Sequence, residues 1–145
     1  MNNSIGKVLE LFVSQKEKTK HTFQAKIEVD KEGIVGDKFY AKDISRSILL
    51  TSVDSYDLAL QNSIHMSHGA LGENILIDYN PYNLAVGTHI KIGKVVLEIT
   101  QNCTICNHLS HIDKALPVLL KDDRGVFVKV IEAGIIEKGD KLYLL

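Results

Sequence analysis

The sequence lacks a dominant charge of either sign. It contains 17 Lys and Arg against 18 Asp and Glu, which gives a formal net charge of −1 at pH 7. A nucleic-acid-binding domain usually carries an excess of basic residues, so this balance argues against a nucleic-acid partner. It leaves room for a local basic pocket.

The sequence also lacks long apolar runs. None approaches the roughly 18–20 residues that a membrane-spanning helix needs. The first residues, MNNSIG, show no charged segment followed by an apolar one, which is the pattern of a secretory leader. We therefore expect a soluble, cytoplasmic protein with no membrane partner.

Tryptophan is absent, and proline and cysteine occur only twice each. Cys103 and Cys106 are too close together to staple a fold, and 145 residues can bury a core without disulfides. We find no internal repeat, low-complexity segment or flexible linker. These observations predict a single domain over residues 1–145.

Most of the apolar segments that are present have the length of strands. Strands are predicted over residues 5–13, 25–29, 47–53, 71–77, 125–131 and 141–145, and a hairpin over 88–100 turns at a Gly-Lys step. Helices are predicted over residues 54–61, capped by Ser52 or Asp54, and over about 112–120. Many short strands joined by glycine turns predict a mainly β fold, an antiparallel β-barrel with a few short helices.

Four side chains that can act as metal ligands or nucleophiles crowd the loop after residue 100. Cys103, Cys106, His108 and His111 form a C-x2-C-x-H-x2-H pattern. One interpretation is a tetrahedral zinc site, although four ligands within nine residues leave little room. A second is a dithiol redox pair, and a third is that the cysteines are small buried apolar residues. The residues alone leave these three interpretations open.

Five segments, in order, carry a family resemblance. They are 33–37 (GIVGD), 46–52 (RSILLTS), 69–75 (GALGENI), 99–101 (ITQ) followed by Cys106, and 124–130 (RGVFVKV) followed by Gly134 and the Gly-Asp step at 139–140. Together they resemble the MOSC domain, named for the C-terminal domain of molybdenum cofactor sulfurase. The segment at 69–75 is the most specific of the five.

The resemblance implies a β-barrel-like fold and either binding of molybdenum cofactor (molybdopterin) or transfer of sulfur. By position, Cys106 matches the family cysteine, and its implied role is persulfide carrier or molybdenum ligand. Cys103 departs from the family pattern, and as a second thiol it would resolve a persulfide on Cys106 as a disulfide. If the protein is an enzyme, the family points to sulfur transfer or to reduction of N-hydroxylated compounds. The implied partner is molybdopterin or a sulfur-donor protein such as a cysteine desulfurase.

Six further residues are candidates for the cofactor site, and most have a plain structural alternative. Arg46 and Arg124 suit a phosphate or carboxylate. Arg46 has the alternative of pairing with Asp37 or Asp43, and Arg124 that of lying in a solvated charge cluster. Amide chemistry lets Asn74 orient a ligand or satisfy turn backbone. The cofactor-binding candidates are Asp37, Arg46, His68, Glu73, Asn74 and Arg124. The alternative function is a non-catalytic binding module with a local Cys/His zinc or dithiol site.

Overall fold

The computed structural model describes residues 3–14, 21–104 and 109–145. Within these ranges the strands are β1 (Gly6–Ser14), β2 (His21–Gln24), β3 (Lys26–Asp30), β4 (Gly33–Ile34), β5 (Ile48–Ser52), β6 (Ile75–Ile77), β7 (His89–Ile92), β8 (Val95–Asn102), β9 (Val126–Glu132), β10 (Gly134–Glu137) and β11 (Lys141–Leu144). The helices are α1 (Val53–Gln61) and α2 (Leu116–Leu119), with short 3₁₀ turns at Ile44–Arg46 and Leu109–His111.

Seven strands form a barrel. Their order is β11-β7-β8-β9-β5-β6-β1, and a second pairing between β1 and β11 closes the circle, while β2 extends the far end of β1. The predicted β-barrel is thus confirmed. All these pairs are antiparallel except β5 and β6, which run parallel because α1 lies between them in the chain.

A small second sheet of β10, β3 and β4 packs on the barrel. Its inward residues Ile27, Val29, Ile34 and Ile136 belong to the same apolar core as the barrel residues. In β3 these residues alternate with exposed ones, which is the pattern of a strand with one buried face.

The helices cover a second, smaller apolar cluster on the outside of the barrel. Phe12 of β1 and Leu76 of β6 meet Tyr56 and Ala59 of α1, together with Leu116 of α2. Helix α1 begins where predicted, because the Ser52 side chain accepts a hydrogen bond from the amide of Asp54 at 3.0 Å. The two faces of the strands are therefore both buried here.

Two predicted elements are shorter than expected. The predicted strand 71–77 is strand only over Ile75–Ile77, because the preceding residues turn at Gly69 and Gly72, both with positive φ. The predicted helix at about 112–120 is helical only over Leu116–Leu119, with Pro117 in its first turn, where a missing amide proton is tolerated. Strands β2, β4 and β10 were not predicted.

Candidate functional site

Five strand ends meet around one pocket at one end of the barrel. They are the end of β1, the starts of β5, β6 and β9, and the end of β8. The pocket has a volume of about 880 Å³, within the range usual for small-molecule sites. Its lining among the described residues is Phe12, Ser14, Phe23, Lys38, Phe39, Lys42, Asp43, Arg46, Ser47, Leu49, Ser67, His68, Gly69, Ala70, Gly72, Asn74, Cys103, Ile112, Arg124 and Phe127.

Both arginines of the sequence line this pocket. The chain contains only Arg46 and Arg124, yet they come from segments nearly 80 residues apart. In the described part of the lining, Lys38 and Lys42 add two further cationic side chains, against a single carboxylate, Asp43. The described wall therefore carries an excess of positive charge, which favours an anionic ligand.

Arg124 is the more unusual of the two arginines, because it is buried. Its exposed fraction is 7%, and its Nη2 donates to the carbonyl oxygen of Leu71 at 3.1 Å. Among the described residues, Nε and Nη1 have no hydrogen-bond partner. Leaving a buried charge without a counter-ion costs several kcal/mol, so such a group is normally paired. The expectation that Arg124 belongs to a solvated charge cluster is wrong: its neighbours Lys121 and Asp122 are exposed, but its own side chain turns inward.

Two buried hydroxyls fix the backbone that carries Arg124. Thr51 donates to the carbonyl oxygen of Arg124 at 2.9 Å, and Ser55 donates to that of Asp123. Ser55 in turn lies 2.6 Å from the Tyr82 hydroxyl, whose oxygen also accepts from the amide of Ser52 at 2.8 Å. Burial raises the pKa of Tyr82, although its hydrogen bond to Ser55 opposes the shift. The guanidinium is thus held on a rigid support.

Arg46 lies at the mouth of the same pocket and is exposed. Its Cζ sits 5.1 Å from the centroid of the Phe127 ring, within the range of a cation–π contact. The alternative that Arg46 pairs with Asp37 or Asp43 does not hold, because no ion pair within the described residues involves Arg46. Asp43 instead caps the 3₁₀ turn by accepting from the amide of Ser45 at 3.2 Å.

Asn74 lines the pocket, and the buried Asp37 supports it from behind. Asp37 is buried, and its carboxylate accepts from the amides of Ser14 at 2.8 Å and Phe39 at 3.0 Å. The Asn74 side chain accepts from the amide of Leu49 at 3.0 Å and donates to Asp37 at 3.5 Å. Both therefore bond to the backbone of neighbouring segments. The Asn74 side chain does so on β5 and β1, at Leu49 and Phe12, and not on the turn backbone that was the structural alternative.

Glu73 lies fully buried behind the glycine-rich turn. Its carboxylate accepts from the hydroxyl of Tyr56 at 2.6 Å and from the amide of Gly69 at 3.2 Å. Tyr56 also accepts from the amides of Gly69 and Leu71, at 3.0 and 3.3 Å. Burial, followed by the charge of Glu73, raises the pKa of Tyr56, so this phenol stays protonated as a donor. Glu73 thus shapes the turn that Arg124 contacts.

Of the other predicted side chains, His68 and Cys103 line the pocket, whereas His111 is exposed and is not among its described lining residues. His68 is exposed and lines the pocket. Its ring meets the Tyr56 ring edge-on, with 5.0 Å between the two ring centroids. Cys103 is buried and lines the pocket as a free thiol. Cys106, the predicted catalytic residue and molybdenum ligand, lies outside the described residues.

The zinc hypothesis is not tested, because two of its four ligands, Cys106 and His108, fall in the undescribed segment. Among the residues that are described, no group of three or more His, Cys, Asp or Glu side chains could hold a metal ion. In the same ranges, no helix has the length and apolar character needed to cross a membrane.

A model of the MOSC domain family matches residues 19–143, which span most of the chain and every described lining residue from Phe23 to Phe127. The chain belongs to the MOSC domain family. This family is associated with the molybdenum cofactor, as the sequence segments imply. No curated protein matches the sequence.

Solved structures share the MOSC fold at low sequence identity. The YUAD protein from Bacillus subtilis superimposes with a TM-score of 0.80 at 17% identity, covering 99% of this chain and 98% of that one. YiiM from Geobacillus stearothermophilus gives a TM-score of 0.78 at 17% identity, over 97% of this chain and 75% of its own. YiiM from Escherichia coli gives a TM-score of 0.65 at 15% identity, and the match covers 96% of this chain and 69% of that one. At these identities the likeness shows the fold alone.

Several side chains that build the site were not predicted from the sequence. Nothing in the spacing of residues 54–61 indicates that the Tyr56 hydroxyl meets a buried carboxylate. Ser55 and Tyr82 lie outside the five motif segments, and Thr51 lies within segment 46–52 without any sign there that its hydroxyl holds the Arg124 backbone. The aromatic residues Phe23 and Phe39 lie in segments without a strong periodic pattern. The folded structure brings Phe23 and Phe39 to the pocket wall.

Proposed function

We propose that this MOSC domain binds the molybdenum cofactor in the pocket, with Arg124 pairing an anionic group of the cofactor such as its phosphate. The observation that carries the proposal is the buried guanidinium, which keeps Nε and Nη1 without partners among the described residues while lining a pocket of about 880 Å³. A planar guanidinium binds phosphate or carboxylate through two parallel hydrogen bonds.

The residues of the pocket fit such a ligand. Arg46, Lys38 and Lys42 add positive charge near the mouth, and Phe23, Phe39 and Phe127 supply apolar walls. A site with few polar groups on an apolar wall is typical of cofactor pockets. The bound cofactor would supply the molybdenum centre and its redox chemistry. The chain itself would bind the anion, orient the ligand and exclude water.

The part of the function that involves sulfur depends on Cys106. A thiolate is a strong nucleophile and a soft ligand, so it suits a persulfide carrier as well as a molybdenum ligand. Cys103 lines the pocket and precedes Cys106 by three residues. We propose Cys106 as the working thiolate, Cys103 as an auxiliary thiol, and a sulfur-donor protein such as a cysteine desulfurase as the partner for sulfur loading.

The test is to purify the protein anaerobically from a host that makes the cofactor and to measure molybdenum, pterin fluorescence and persulfide. The wild type should carry molybdopterin or a persulfide. The cofactor content of Arg124→Gln should be at least about tenfold lower than that of the wild type, because the substitution removes a buried charged partner of the ligand. Lys121→Gln removes a positive charge from the same loop but outside the pocket, and should match the wild type.

The cysteines are tested in the same preparation. Cys106→Ser should abolish the bound persulfide or the sulfur-transfer activity, and Cys103→Ser should only weaken it. A wild-type protein with neither molybdopterin nor persulfide would overturn the proposed function. Equal cofactor content in the Arg124→Gln variant would remove Arg124 from the site.

A further inference from the structure

A β-bulge interrupts the ladder between β8 and β9 at the pocket. Ile99 pairs with Val128, but Gln101 pairs with Phe127, so Thr100 is the extra residue on its strand. Bulges are common beside functional sites, where they re-aim a side chain. Thr100 belongs to a segment that the family resemblance singled out, and neither the barrel nor the pocket lining accounts for it.

The bulge directs the Thr100 hydroxyl toward two backbone carbonyls of other elements. Its Oγ1 lies 2.5 Å from the carbonyl oxygen of Ser45 and 3.1 Å from that of Phe127. A hydroxyl has one proton, so the two acceptors share it. Thr100 thereby fastens the 3₁₀ turn at Ile44–Arg46 to the start of β9.

The fastened turn is the one that carries Arg46, and the strand is the one that carries Phe127. Arg46 follows Ser45 directly, and its Cζ lies 5.1 Å from the Phe127 ring centroid. No ion pair in the described part of the chain holds this guanidinium in place. Its position over the ring therefore depends on how the turn sits against β9.

We infer that Thr100 is a positioning residue, which holds Arg46 over Phe127 at the pocket mouth so that its guanidinium meets the anionic ligand. This inference rests on the proposed function, because it takes Arg46 to be a ligand contact. Thr100 acts through the turn and does not itself line the described pocket wall.

The test compares Thr100→Ser, which keeps the hydroxyl, with Thr100→Ala, which removes it. The first measurement is the ring-current shift of the Arg46 side-chain protons in NMR spectra. It should be retained in Thr100→Ser and lost in Thr100→Ala. Thr22 also donates its hydroxyl to a backbone carbonyl, that of Val13, so Thr22→Ala is the matched control and should keep the Arg46 shift.

The second measurement is the affinity for inorganic phosphate. Loss of one hydrogen bond corresponds to a change of roughly three- to tenfold, so Thr100→Ala should bind phosphate weaker by about that factor and Thr100→Ser within about twofold of the wild type. If Thr100→Ala is too unstable to purify, Thr100→Val takes its place.

A retained Arg46 ring-current shift in the variant without the hydroxyl overturns the inference, and so does unchanged phosphate affinity. Arg46→Gln separates this failure from that of the proposed function. If Arg46→Gln weakens phosphate binding while Thr100→Ala does not, Thr100 fails and the proposed site stands. If Arg46→Gln itself binds phosphate like the wild type, Arg46 is not a ligand contact and the inference is overturned, whereas the proposed function is then decided by Arg124→Gln.

Discussion

Arg124 donates from Nη2 to the carbonyl oxygen of Leu71 at 3.1 Å, which joins the loop before β9 to the glycine-rich turn before β6. The bond fixes one edge of the guanidinium and leaves the hydrogen-bonding capacity of Nε and Nη1 unused among the described residues. Because Leu71 is also held by Tyr56 and the turn by Glu73, an anion bound at Arg124 would be supported by a connected set of buried groups.

A small oxyanion should stabilise the protein through Arg124. We expect phosphate to raise the melting temperature of the wild type above that in sodium chloride of equal ionic strength, because ligand binding to the folded state adds about 2.7 kcal/mol at a hundredfold excess over Kd. Phosphate also stabilises proteins by exclusion from their surfaces. In thermal denaturation, phosphate should therefore raise the melting temperature of Arg124→Gln only by the amount that surface exclusion gives. For Lys121→Gln the rise should equal that of the wild type.

Loss of the Tyr56 hydroxyl should destabilise the fold. In Tyr56→Phe the buried Glu73 carboxylate loses its 2.6 Å donor, and the amides of Gly69 and Leu71 lose an acceptor. We expect the free energy of unfolding to fall by about 2 kcal/mol or more. Urea denaturation measures it.

Tyr40 provides the control for this effect, since its hydroxyl donates to the Asp30 carboxylate at 2.7 Å in a more accessible place. Tyr40→Phe should cost clearly less than Tyr56→Phe. An equal loss in the free energy of unfolding of the two variants would show that burial of the contact between Tyr56 and Glu73 adds nothing to its contribution to stability.

A methyl group at Gly125 should disturb the Arg124 loop. A Cβ there would lie 2.7 Å from the Thr51 hydroxyl and 3.0 Å from the Leu50 carbonyl oxygen, so the Thr51 side chain that holds the Arg124 carbonyl, or the backbone itself, must move. We expect Gly125→Ala to lower the free energy of unfolding by about 1–3 kcal/mol and to weaken phosphate binding. At Gly134 the added Cβ would meet only a Val95 methyl at 3.2 Å. Gly134→Ala should be milder in urea denaturation and should leave phosphate affinity unchanged.

Acid sensitivity should depend in part on Glu98. A hydrogen bond from His89 at 2.9 Å, and then the Lys129 ammonium, lower the pKa of the Glu98 carboxyl from its ordinary value. A carboxyl whose folded pKa is depressed stabilises the fold fully above its unfolded pKa, and this contribution is lost as the pH falls through the folded value. The loss of stability between neutral and strongly acidic pH should therefore be smaller in Glu98→Gln. Urea midpoints at both pH values test this, and an unchanged pH dependence would contradict it.

Much of the barrel could be predicted because its strands have one clear signal each. The Gly-Lys step between two apolar segments predicts the hairpin of β7 and β8, and Ser52 is a recognisable cap before α1. Strand β2 could not be found in this way. Its four residues carry an exposed Phe23, so the pairing with the end of β1 comes from tertiary contacts and not from local alternation.

The candidate site could be predicted only as a set of residue types. The motif segments named Arg46, Asn74 and Arg124, and the structure places all three on the pocket wall. What the sequence could not indicate was the burial of Arg124, because its neighbours Asp122 and Asp123 suggest a surface loop. The inward turn of its side chain depends on Thr51 and Ser55, which lie about 70 residues away in the chain.

The most direct test of the central claim is the NMR signal of the Arg124 Nε–H group during a titration with inorganic phosphate. Since the chain has two arginines, its spectrum contains two such signals, and Arg46→Lys and Arg124→Lys assign them. We predict that the Arg124 signal moves in a saturable way as phosphate is added, and that it moves more than the Arg46 signal. An Arg124 signal that stays in place while phosphate saturates the protein would contradict the account.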